Sequence, residues 1–315
     1  MPYVDLPSRN LHQYYTINPI YDTTQHSLND PAPPSGKLLD EKLIICFVHA
    51  GTSSSEAFIS QFQDERLRSH FNLVSFDTRY YGRTTGEQLD HYQDLAERAD
   101  ELLDAIDAVI GDRPFVIFGE SFVGANCCAY IASKRPQSVK AAIMLSPSYF
   151  EDSPDLIRVL ENEWVPWVAA NKDGNGDGSG DIPEGALNIA GDYFFGGCER
   201  EPERRKAFLD RYQFNHGGSN DMHKVHQLLH WFKRKAPPKE VFEKIQCPIL
   251  IFLATEDRAV SPDDAAKQWH DALISVEPEQ KRIERIHGGT HLLATTDASV
   301  VNRVTLKFLQ RNGLA

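Results

Sequence analysis

Short β-branched and aromatic apolar runs alternate with amphipathic stretches along most of this chain, and that rhythm leaves few architectures open. LIICFVHA (43–50) reads as a buried strand. Residues 54–70 read as a helix with Phe58, Ile59, Phe62 and Leu67 on one side, and FNLVSFDT (71–78) as the next strand. A long helix over 89–111 carries Leu95, Ala99, Leu102, Leu103, Ile106 and Ile110 at helical spacing. A strand at 114–121, a helix at 125–136 and a strand at 141–147 continue the pattern. Much later come 248–257, 261–276, 281–289 and 299–313, read as strand, helix, strand, helix. Near-continuously apolar strands joined by helix-length crossovers make a mostly parallel sheet with both faces covered. The expected class is α/β.

Between about 150 and 240 the rhythm breaks. The stretch is rich in aromatics (Trp164, Trp167, Tyr193, Phe194, Phe195, Trp231, Phe232), is mostly helical by pattern and holds no second set of strand-length runs. It reads as a helical lid over 150–240, inserted in a core formed by 1–149 and 241–315. The aromatics chiefly pack lid helices together, with some facing the cleft, because pockets form at subdomain interfaces and are lined by apolar groups.

Composition excludes partners more than it selects them. The 315 residues are 41% hydrophobic, enough for one large core, and the formal net charge of −12 repels phosphate backbones. Nucleic acid is therefore not an expected partner. No stretch approaches the roughly 18 consecutive apolar residues of a spanning helix. The N-terminal segment lacks a basic region followed by an apolar one, so no secretory leader is expected. Five cysteines (Cys46, Cys127, Cys128, Cys198, Cys247) are odd in number and show no metal-ligand spacing. A reduced, cytoplasmic protein without disulfides is the expectation.

The sharpest local feature is Phe118-Gly119-Glu120-Ser121-Phe122-Val123-Gly124, between an expected strand and an expected helix. A serine on a tight strand-to-helix turn has its hydroxyl thrust out of the sheet, and the following N–H can bind an oxyanion at a helix N-terminus. Here the chain resembles the α/β-hydrolase superfamily, in its serine-nucleophile branch with an inserted helical lid, over nearly its whole length. The resemblance implies an eight-stranded sheet with the lid after the sixth strand. The family pattern is G-x-S-x-G, often with one further glycine; Gly119 and Gly124 fit its first and last glycines, while Val123 takes the place of the middle one.

The resemblance also implies an order of nucleophile, acid, histidine. In PILIFLATEDRAVSP, Asp257 stands at the usual position of the acid, with Glu256 as competitor and Glu151 or Asp152 as alternatives after the sixth strand. RIHGGTHLLATTD offers His291 in the loop before the last helix, with His287 as fallback. His49-Ala50-Gly51-Thr52 resembles the family's oxyanion loop with alanine for its first glycine, and implies the N–H groups of Gly51 and Phe122 as the oxyanion hole. Residues 77–84, DTRYYGRT, resemble the turn after the fourth strand and are structural support.

The implied activity is hydrolysis of a carboxylic ester or lactone with a sizeable apolar or aromatic portion, through an acyl-enzyme on Ser121. The same three residues would also serve carbon–carbon, amide or peptide cleavage, or a lyase. A ligand receptor on a hydrolase fold is the reading from another class. Serine at the nucleophile position excludes the aspartate-dependent route of haloalkane dehalogenases and epoxide hydrolases.

No cofactor or catalytic metal is required by these roles. Asp173 to Glu184 matches the calcium-loop template D-x-[DN]-x-[DN]-G-x5-E at every specified position. Gly180 at the normally apolar eighth position and the glycines around it argue instead for a mobile polar connection. Calcium bound there would be structural.

Overall fold

The computed structural model describes residues 2–21, 30–51, 53–147, 158, 160–166, 169, 181–196, 202–216, 222–233 and 237–315. Glu151, Asp152, Trp167 and most of the calcium-like loop (173–180) lie outside the described residues.

The strands are β1 (Tyr3–Leu6), β2 (Leu11–Ile17), β3 (Leu43–Val48), β4 (Phe71–Phe76), the two-residue β5 (Thr85–Gly86), β6 (Phe115–Glu120), β7 (Val139–Leu145), β8 (Ile249–Ala254) and β9 (Lys281–Ile286). Eight lie in the order β1-β2-β4-β3-β6-β7-β8-β9, and β5 pairs with β2. From β4 to β9 every pairing is parallel, while β1, β2 and β5 pair antiparallel. The expected mostly parallel α/β sheet is present.

Alternation along each strand fills both faces. Ile44, Cys46 and Val48 point into one apolar layer with Ile117 and Met144, and Ile45 and Phe47 point into the other with Phe118 and Ile143. Side chains with a period of two on a doubly covered sheet must be apolar at every position, and β3, β4, β6 and β8 are nearly so.

The helices are α1 (Ile59–Phe62), α2 (Glu65–His70), α3 (Leu95–Ile110), α4 (Ser121–Lys134), α5 (Glu184–Phe194), α6 (Pro202–His216), α7 (Met222–Lys233), α8 (Lys239–Phe242), α9 (Pro262–Ala272), α10 (Leu293–Thr296) and α11 (Ala298–Arg311). Helices α5 to α7 fall between β7 and β8, where the sequence rhythm breaks. The single helix expected over 54–70 is three pieces: a 3-10 turn at Ser55–Phe58, then α1, then α2. Asp64 divides the last two because its carboxylate accepts from the N–H groups of Arg66 and Leu67, a cap that starts a new helix. The long helix starts at Leu95 rather than 89, where Asp94 and Glu97 form a capping box. The helix expected from 125 starts four residues earlier, at Ser121 itself.

The order of strands reverses at β3, whose neighbours are β4 on one side and β6 on the other. Crevices at the carboxyl ends of strands open at such a switch point. The loop after β3 carries Gly51 and the turn after β6 carries Ser121.

Candidate active site

Ser121 has a φ of 62° and is the first residue of α4, directly after β6. A left-handed backbone at a non-glycine residue is costly and persists only where its surroundings hold it. Here the glycines hold it. A Cβ on Gly119 would lie 2.2 Å from the carbonyl oxygen of Gly124, and one on Gly124 would lie 2.5 Å from that of Val48. The turn is so tight that neither position has room for a side chain.

Three side chains from three loops then meet in series. Ser121 Oγ is 2.7 Å from His291 Nε2, and His291 Nδ1 is 2.8 Å from Asp257 Oδ2. The other oxygen of Asp257 accepts from the N–H groups of Ala259 at 2.8 Å and Val260 at 3.0 Å. Those two bonds orient the carboxylate, and only 2% of each side chain in the His291–Asp257 pair is exposed. With Asp257 as acceptor, Nδ1 carries the proton and Nε2 is left to accept from the serine hydroxyl. The rivals lie elsewhere: Glu256 is exposed beyond the end of β8, and His287 is exposed on the far side of the Gly288 turn.

The oxyanion candidates converge on the same place. Phe122 is the second residue of α4, where an N–H has no acceptor within its own helix. Gly51 packs against Val123, since an added Cβ would lie 2.6 Å from Val123 Cγ2 and 3.6 Å from the ring of Phe122. Val123 thus fills the space beneath the loop after β3 that carries Gly51. His49 braces that loop from behind. Its Nε2 accepts from the N–H of Thr78 at 3.0 Å, which leaves Nδ1 to donate to the Ala50 carbonyl at 2.6 Å. Burial pushes its pKa down to about 3, so this neutral tautomer persists across ordinary pH.

Two helices of the segment between β7 and β8 lie against the site. The ring of Phe194 at the end of α5 is 5.4 Å from the ring of His291, and Phe232 on α7 is 4.4 Å from Phe122. The N–H of Leu292 donates to the Phe194 carbonyl at 3.2 Å, pinning the histidine loop to α5. Other described aromatics of this region pack among themselves or on the core. Phe195 stacks on Phe208, whose ring meets Tyr212 at a tilt, and Trp231 lies under Arg98 with its indole N–H on the Gln93 carbonyl.

Sequence reasoning passed over two charged residues. Glu120 is fully buried beside Ser121, accepting from the N–H of Ala294 at 2.8 Å with its second oxygen unpartnered. Burial pushes its carboxyl up to about 7. Arg211 on α6 is 4% exposed. Its signal was available as a cation at core spacing from Phe208 and Asn215 on an otherwise polar helix.

Among the described residues no cluster of three metal-ligating side chains occurs, and no helix is long and apolar enough to cross a membrane. Cys46, Cys127, Cys128 and Cys247 are free thiols, all buried.

A strained serine between strand and helix, backed in series by histidine and aspartate at a sheet switch point, defines an α/β-hydrolase-fold protein. The chain belongs to the alpha/beta hydrolase fold family, whose model matches residues 44–297. Solved structures of the same fold include an enol-lactonase from Burkholderia xenovorans LB400, at 15% identity and a TM-score of 0.69, covering 98% of this chain and 100% of that one. A thermophilic esterase from Thermogutta terrifontis is 13% identical with a TM-score of 0.70, covering 99% and 97%. A carboxylesterase from Nitrososphaera gargenis is 14% identical with a TM-score of 0.67, covering 99% of each chain. No curated protein matches the sequence.

Proposed function

We propose that this protein hydrolyses a carboxylic ester or lactone through an acyl-enzyme on Ser121. The observation that carries the reading is the unbroken series Ser121–His291–Asp257, with bonds of 2.7 and 2.8 Å. His291 Nε2 takes the proton of Ser121 as its Oγ attacks the carbonyl carbon. Asp257 keeps the proton on Nδ1 and stabilises the imidazolium that forms. The N–H groups of Gly51 and Phe122 receive the oxyanion of the tetrahedral intermediate, each typically worth about 3 kcal/mol. As the intermediate collapses, His291 returns its proton to the leaving alkoxide. Water, deprotonated by the same imidazole, then attacks the acyl-enzyme and frees Ser121.

The segment 150–240 acts in this reading as a lid that keeps water from the intermediate, with Phe194, Phe122 and Phe232 against an apolar part of the substrate. Ester and lactone chemistry is favoured by the enol-lactonase and the esterases that share the fold. The protein needs no cofactor for these steps and works on a small molecule.

A fluorophosphonate probe tests the nucleophile. The expected result is one phosphonyl adduct by intact mass, absent from Ser121→Ala. A folded wild-type protein that never labels overturns the reading. 4-Nitrophenyl esters of rising chain length, with lactones and anilides beside them, then identify the bond.

A further inference from the structure

Arg211 is a buried cation whose hydrogen-bonding capacity the protein leaves unused. Its Nε is buried without a hydrogen-bond partner, and only 4% of the residue is exposed. A guanidinium carries five N–H donors in a planar fork and cannot give up its charge to escape burial. Among the described residues no ion pair reaches it. The carboxylates nearest in effect are Glu56 and Glu120, and neither hydrogen-bonds or ion-pairs with it among the described residues. Glu56 accepts from Ser54 Oγ at 2.7 Å and lies 3.4 Å from Arg83, while Glu120 accepts from Ala294.

The position of Arg211 says where those donors point their chemistry. Helix α6 is fastened at both ends of one face. Arg204 donates to the Thr295 carbonyl at 2.6 Å, four residues past His291 in the chain. Asn215 donates to the Ser53 carbonyl at 3.1 Å, two residues past Gly51, and accepts from the N–H of Gly82 at 2.8 Å. Residues 204, 211 and 215 share that face by helical spacing. The inner face of α6 therefore runs from the histidine loop to the loop after β3, with Arg211 on that face between the two anchors and near enough to Glu120, the neighbour of Ser121, for the two charges to act on each other.

We propose that Arg211 is a specificity residue that receives a carboxylate on the substrate, so that the preferred substrate is an anionic ester or lactone. The inference rests on the hydrolase reading above only for the word substrate; the anion subsite stands on Arg211 alone. A planar carboxylate matches the guanidinium fork with two parallel hydrogen bonds, and a poorly solvated site strengthens both. Burial lowers the pKa of Arg211, so a ligand of opposite charge is what its environment lacks. The neighbouring carboxyl of Glu120, pushed up to about 7, is mostly neutral below that pH and there does not compete for the cation. The apolar roof binds the rest of the molecule.

The test pairs neutral and anionic esters with the same leaving group: 4-nitrophenyl butyrate against mono-4-nitrophenyl glutarate. Phenyl butyrate against 4-butyryloxybenzoate reads a carboxylate on the alcohol side. In one of the two pairs, wild type is expected to favour the anion in kcat/KM by roughly tenfold or more, as a charge-assisted pair would give. Arg211→Gln should bring that ratio to about one, and Arg211→Lys should leave it between the two. Calorimetric titration of wild type with glutarate and glutaramide reads the subsite without turnover or a variant, and only glutarate should bind. Glutarate binding lost in Arg211→Gln, with no ester hydrolysed, keeps the subsite and removes the hydrolase reading. Hydrolysis without preference in either pair, and no glutarate binding, overturns the subsite and leaves the hydrolase. Equal losses for both members of each pair in Arg211→Gln make Arg211 a counter-charge for Glu120 and also overturn it.

Discussion

Glu120 is tied to Ala294 by a 2.8 Å hydrogen bond from the alanine N–H to the buried carboxyl, which joins the Ser121 turn to the helix after the His291 loop. The residue before Ser121 thereby holds the segment that carries His291. Burial pushes this carboxyl from its ordinary 4.5 up to about 7, against the opposing pull of the Ala294 N–H, His291 and Arg211. The native state therefore keeps a proton that the unfolded chain releases. Stability from this group is complete below about pH 4.5 and is lost as pH rises to about 7, a change on the order of 3 kcal/mol. Urea unfolding between these pH values should show wild type losing stability with rising pH and Glu120→Gln losing clearly less. Parallel curves would remove Glu120 as the source.

Asp257→Asn should separate orientation from folding. Asparagine keeps an oxygen for the N–H groups of Ala259 and Val260, but turns an amide N–H toward His291 Nδ1. The imidazole then carries its proton on Nε2 and cannot accept from Ser121. Ester kcat should fall by roughly 10⁴-fold while thermal unfolding stays close to wild type. Retention of most activity would show that another group orients the histidine.

Gly51 and Val123 should be coupled. A Cβ at Gly51 would meet Val123 Cγ2 at 2.6 Å, so Gly51→Ala must displace the oxyanion loop or the helix start. Gly51→Ala is expected to cost about tenfold or more in kcat/KM, and Val123→Ala in the same chain to recover a good part of it. The double-mutant cycle measures this directly, and strict additivity refutes the contact.

The segment 173–184 is expected to behave as a polar connection and not as a calcium site. Melting temperatures in EGTA and in millimolar calcium should coincide. A rise of several degrees with calcium, abolished by Glu184→Gln, would instead install a structural ion there.

Much of the molecule was legible in one dimension because its signals are local. Strands buried on both faces must be apolar throughout, so β3, β4, β6 and β8 stand out as runs. The order of Ser121, Asp257 and His291 follows the order of the loops that the sheet presents. What misled was equally local. The stretch 54–70 has a continuous amphipathic pattern, and only the capping carboxylate of Asp64 shows that it is broken.

The sequence by itself determined the alternation of elements, the class of fold, and three polar residues at the ends of three apolar runs. Tertiary structure alone decided which carboxylate faces His291, because Asp257 and Glu256 are neighbours in the turn after β8 and only its folded path buries one side chain and exposes the other. It also decided that Val123 packs beneath Gly51, that Phe194 and Phe232 lie against His291 and Phe122, and that Arg211 is buried with its Nε unpartnered. Periodicity reports which face of a helix is apolar. It does not report what that face is laid against, and burial of a charge is a property of the neighbours.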